Sequence, residues 1–62
     1  MRAFREFEIR QGVKVVNKFH TTTIKDAKDV FMHFVDDTNN TRLSYGLPPL
    51  HFVLLQDGKS IS

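Results

Sequence analysis

Cysteine is absent from the 62 residues, which removes disulfides, thiolate metal sites and a thiol nucleophile together. Glycine is confined to Gly12, Gly46 and Gly58, too few and too scattered for a phosphate-cradling loop. The apolar run Phe52 to Leu55 is far short of the roughly 20 residues of a membrane-spanning helix, and MRAFREFEIR holds no stretch resembling a secretion leader. No serine lies in a nucleophile elbow. Asp36 and Asp37 are adjacent, so on a helix they diverge and cannot work as an acid/base pair. These absences predict a cytoplasmic, non-enzymatic chain with no cofactor, no metal, no small-molecule substrate and no membrane partner. Without a leader, the sequon Asn39-Asn40-Thr41 is a chance match.

A chain of this length predicts a single domain over residues 1–62. Such a domain buries only about 60% of the surface its unfolded chain exposes, so a partner or self-association is a natural source of added stability. The net charge of +2 is unevenly spread. Residues 1–23 carry five basic against two acidic side chains, and residues 24–62 four against five. The basic half can steer an acidic partner.

The stretch FREFEIRQGVKVVNKF (residues 4–19) alternates apolar and polar residues on both sides of a turn, the pattern of a β-hairpin; the hairpin is expected over residues 1–20. A three-residue loop, Arg10-Gln11-Gly12, puts Gly12 where a left-handed residue follows a type I turn. It pairs Ile9 with Val13 and sets Glu8 across from Lys14. Ala3, Phe7, Ile9, Val13, Val15 and Phe19 then share the core face. Arg2, Phe4, Glu6, Glu8, Lys14, Val16, Lys18 and His20 share the other.

Thr23 followed by Asp26 reads as a helix N-cap with a capping box. Helical spacing places Ile24, Ala27, Val30, Phe31, Phe34 and Val35 on one stripe, predicting a helix over 23–37 that fades toward Asn40. Asp29, His33 and Asp37 recur at i, i+4, i+8, read as a solvated face rather than a metal site. Residues 41–49, TRLSYGLPP, are expected to form an ordered loop with Leu43, Tyr45 and Leu47 tucked under the core. Residues 50–62 then hold an apolar strand, Leu50 to Leu55, the turn Asp57-Gly58 and a short final strand. The core is expected from Phe7, Ile9, Val15, Phe19, Ala27, Phe31, Phe34 and Phe52. His20 and His51 are expected as half-buried strand histidines. The fold class is α+β, of order β-β-α-β(-β): an antiparallel sheet of three to four strands, the third beside the first, with one helix on one face. A third strand parallel to the second is the alternative.

One helix covers one face only, so Val53 and Leu55 would lie uncovered beside Phe4 and Val16, ringed by Arg2, Lys14, Lys18 and His20. An apolar centre with a charged rim is the anatomy of a protein interface. The expected function is contact with a protein, either a second copy or a foreign one, as a small regulator or inhibitor. Phage proteins that inhibit host enzymes share this size and topology. The alternative is nucleic-acid binding, with Arg2, Lys14 and Lys18 on phosphates and Phe4 stacked on a base; Glu6 and Glu8 on the same face oppose it. A loop 41–49 folded over this face would instead make it core.

Overall fold

The computed structural model describes residues 4–61. It contains β1 (Arg5–Gln11), β2 (Lys14–Thr21), α1 (Ile24–Ser44), β3 (Val53–Gln56) and β4 (Lys59–Ser60). The sheet order is β2-β1-β3-β4, with every neighbouring pair antiparallel. The third strand therefore lies beside the first, and the helix packs on one face.

The hairpin register differs from the one that alternation suggests. Its loop is two residues, Gly12-Val13, closed by the pair Gln11 and Lys14. Gly12 carries the loop's only positive φ, +61°, at the first central position, as a type II′ turn requires. A bulge at Val16 then shifts the pairing, so that Phe7 faces Phe19, Ile9 faces Asn17 and Glu8 faces Lys18. One extra residue on one strand reverses which side chains point inward. Val13 becomes a turn residue, 98% exposed, and Val15 is exposed as well, whereas Val16 packs against the core. All three reverse the sequence-based expectation, and Ala3 lies outside the described residues. What the bulge gains is the aromatic pair: the Phe7 and Phe19 rings stack at 5.6 Å and 15°, a geometry that adds to simple burial. Val16→Asp is therefore expected to lower stability by about 2 kcal/mol or more, through a carboxylate forced against apolar neighbours. Val15→Asp should cost less than about 0.5 kcal/mol. Urea unfolding of both variants checks this, and the reverse order would restore the three-residue loop.

The helix starts where Thr23, in extended backbone, accepts a hydrogen bond from the Asp26 amide on its side-chain oxygen (3.1 Å). Ala27, fully buried, lets the helix backbone approach the sheet closely. Phe31, Phe34 and Val35 continue the packed stripe, and the Phe34 ring meets the Phe52 ring edge-on at 5.4 Å. Ile24 and Val30 sit at the exposed margin. The buried centre is Phe7, Ile9, Ala27, Phe52 and Leu54. Asp57 and Gly58, both at positive φ, turn β3 into β4, as their dipeptide predicts.

The helix does not stop near Asp37. It continues to Ser44, and the expected loop over 41–49 is largely its last turn and cap. The cap is a Schellman motif: the Gly46 amide donates to the Leu43 carbonyl (3.0 Å) and the Leu47 amide to that of Arg42 (2.9 Å). Gly46 stands at φ +76°, the left-handed position that such an ending needs.

Candidate protein-contact surfaces

The sheet face away from the helix is set by the register. One row across it is Lys18, Glu8, Leu55 and Ser60; the next is Val15, Arg10 and Val53. Glu6 and His20 pair on the same side, with His20 Nε2 3.5 Å from the Glu6 carboxylate. Phe4, just before β1, is 68% exposed and alternates onto this side. So Phe4, Lys18, His20 and Val53 share the surface on which the sequence places them; Leu55 is turned to the same side but is buried, against the expectation that it lies uncovered. Val16 does not, because the bulge turns it into the core. Lys14, paired with Gln11, falls on the side of Ile9 and away from Lys18. Arg2 lies outside the described residues.

The electrostatics of the face are those of a neutralised mosaic. Arg10 donates from Nε (3.0 Å) and a terminal nitrogen (2.9 Å) to one Glu8 oxygen, while Lys18 stands directly opposite Glu8. Among the described residues, two cations and two carboxylates interleave on it, with no stripe of one sign. Leu55, only 7% exposed, is sunk between Glu8 and Ser60. The segment 41–49 does not fold over this face: it belongs to the helix up to Ser44, and Leu50 beyond it packs into the core.

The histidines are not half-buried. His20 and His51 are exposed, and His51 precedes β3 instead of lying on it. His33 directs Nδ1 at the Asp29 backbone carbonyl, 2.8 Å away, along its own helix. Among the described residues, no three His, Asp or Glu side chains converge on a point where a cation would sit. No family model, no curated protein and no solved structure matches the chain. Function is left to be read from the surfaces themselves.

A second surface escapes the sequence reading. Leu43 (56% exposed), Tyr45 (77%) and Leu47 (46%) project from the helix end rather than tucking under the core. They do not sit on a loose loop. Asn39 clips the returning chain with two hydrogen bonds, donating from Nδ2 to the Leu50 carbonyl (3.1 Å) and accepting the Leu50 amide on Oδ1 (2.8 Å). Arg42 Nε donates to the Pro48 carbonyl (2.8 Å), and the Ser44 hydroxyl to the Thr41 carbonyl (2.7 Å). Beside this turn runs an open groove of about 440 Å³ lined by Asp37, Thr38, Thr41, Arg42 and Leu50. One signal could have located the cap: Gly46 followed two residues later by Pro48 is a helix-stop signature.

Proposed function

We propose that this protein is a small, non-enzymatic binding protein that acts by laying its surface against another protein. One observation carries this reading: the chain leaves large apolar side chains outside its core on both layers, Phe4 and Val15 on the sheet and Met32, Leu43, Tyr45 and Leu47 on or beyond the helix. The molecule is also extended for its size. Its radius of gyration is 12.5 Å, against about 10.5 Å for a compact domain of 62 residues. Its accessible surface is 4626 Å², against about 4,100 Å² for 7.2 kDa. Apolar surface that a fold does not bury is what contact with a partner can bury.

On the sheet, the partner would meet Phe4 and Val53 with the pair Glu8–Arg10 and the cation Lys18 as polar rim. Phe4→Asp, far from the core, should leave the fold intact by circular dichroism and weaken capture of a protein partner from lysate at least tenfold. Retention of that partner by the variant would refute a role for this face. A short single-stranded oligonucleotide is expected not to bind even at low salt. Binding that falls steeply with salt and is lost in Lys18→Glu would overturn the protein-contact reading in favour of nucleic acid.

A further inference from the structure

We infer that the outer edge of β2 docks an acidic, extended segment of a partner protein, which joins the sheet as an added strand beside Lys18 and His20. The inference rests on the reading of this chain as a protein-contact protein, and adds the edge used and the kind of segment that fits it.

Main-chain geometry is the first ground. The Asp57 amide donates to the Glu6 carbonyl (3.2 Å), so Glu6 turns its backbone polar groups toward β3. Along an antiparallel strand these groups alternate between the two neighbours, which turns those of Phe7 and Ile9 toward β2. Their partners Phe19 and Asn17 point back at β1, and Lys18 and His20 turn their amides and carbonyls outward. Among the described residues no strand lies on that side, because β2 ends the sheet order β2-β1-β3-β4. The opposite edge, β4, is blunted by its length of two residues, whereas β2 has eight. A row of open donors and acceptors is completed by another strand. A phosphate backbone offers the outward carbonyls no donor.

Charge decides which strand. Each described carboxylate of the hairpin already has a partner: Glu8 takes Arg10, and Glu6 lies 3.5 Å from the His20 ring. Lys14 and Lys18 are exposed and form no ion pair among the described residues. β2 holds no carboxylate of its own. Its two lysines stand on opposite faces, so the edge is basic above and below. A strand bringing Asp or Glu alongside gains cross-strand pairs of opposite charge.

A second copy of β2 fits poorly. The twofold pairing that uses the outward groups of both Lys18 and His20 is centred on Phe19, and sets Lys18 across from His20 twice over. Centring on Lys18 sets it across from its own copy. Neither pairing meets a carboxylate, and like charges directly opposite are destabilising. A lysine on an edge strand discourages self-pairing, and the same lysine is what an acidic segment uses. The Val16 bulge interrupts the outward row between Val15 and Lys18, which keeps the site short and the affinity modest.

The probe is a capped peptide of about eight residues, a full strand, alternating valine with glutamate. Titrated into isotope-labelled wild type, it should shift the Lys18 and His20 amides saturably, with a dissociation constant of about 0.1–1 mM. Solvent exchange of these two amides, fast in the protein alone, should slow at least fivefold at saturation. The same peptide with lysine for glutamate should bind at least tenfold more weakly. N-methylation of its central residues, which removes donors from both edges, should abolish binding. Lys18→Gln should weaken the acidic peptide at least threefold, with an unchanged Leu54 amide-exchange rate verifying the fold, and Phe4→Asp should leave the titration as it is. No saturable shift at Lys18 and His20 up to about 5 mM peptide, or equal binding of the N-methylated form, overturns the added strand. Equal binding of the lysine peptide overturns the acidic occupant. A wild type that dimerises with Lys18 against His20 of a second copy overturns the foreign one. Loss of peptide binding leaves capture of a partner through the sheet face, and its dependence on Phe4, unaffected.

Discussion

Replacing Phe7 with alanine is expected to leave little folded protein at room temperature. The ring is fully buried at the centre of β1, stacked on Phe19 and in the same cluster as Ala27 and Leu54. Removing it opens a cavity that the neighbouring strands on both sides cannot close, since β1 is paired along both edges. Phe→Ala at such sites costs about 3–5 kcal/mol. A domain of this length holds only about 3–9 kcal/mol at 0.05–0.15 kcal/mol per residue, so most or all of its stability is spent. A thermal melt should lose its cooperative transition, or shift it down by well over 10 °C. Phe7→Leu, which keeps most of the volume, should retain a transition. A Phe7→Ala protein that melts like wild type would mean that the sheet–helix core lies elsewhere.

Asn39→Ala should act more locally and as decisively. Its amide makes both hydrogen bonds of the clip to Leu50, at a half-buried position. Each bond contributes about 0.5–1.5 kcal/mol net, and a partly buried backbone group left without a partner adds to the loss. Amide exchange at Leu50 should accelerate at least tenfold, with that at Leu47 following as the turn loosens, while Ile9 and Leu54 change much less. Asn39→Asp separates the two bonds. It keeps an acceptor for the Leu50 amide but faces the Leu50 carbonyl with a carboxylate oxygen, and should fall close to the alanine variant. Unaltered Leu50 exchange in both would show that the connection is held by Arg42 and Pro48 instead.

Much of this fold is written in local pattern. Alternation marks the hairpin, Thr23 with Asp26 marks the helix start, Asp57-Gly58 marks the last turn, and the strand after the helix sends Phe52 and Leu54 inward and Val53 and Leu55 outward as its period requires. What local pattern could not supply is the Val16 bulge. Two adjacent valines are equally good strand residues, and which one points inward is decided by the pairing of Phe7 with Phe19, twelve positions apart. The helix end is a similar case. Asn39 and Asn40 are ordinary stop residues, but Asn39 spends its side chain on a backbone eleven residues away, so it does not cap the helix. The sheet surface was legible in Phe4, Lys18, His20 and Val53 because they follow the period of two, but not in Leu55, which the same period turns outward and its neighbours cover. It failed at Lys14, displaced by the two-residue turn, and at Val16, the bulge residue itself.

The position of β1 also sets the order in which the molecule can be assembled. One edge of β1 is closed by β2 after a two-residue turn, but the other waits for β3, whose Gln56 pairs with Phe7. During synthesis, at about 5–20 residues per second, the chain spends seconds with β1 and β2 made and β3 not yet translated. A lone hairpin is marginal in water, and its open edge carries Phe7 and Ile9. A nascent chain halted before Val53 would thus present an unpaired strand edge, with the apolar side chains of Phe7 and Ile9 uncovered, to any neighbour. The strand that closes the centre of the sheet, β3, is made only after the whole helix.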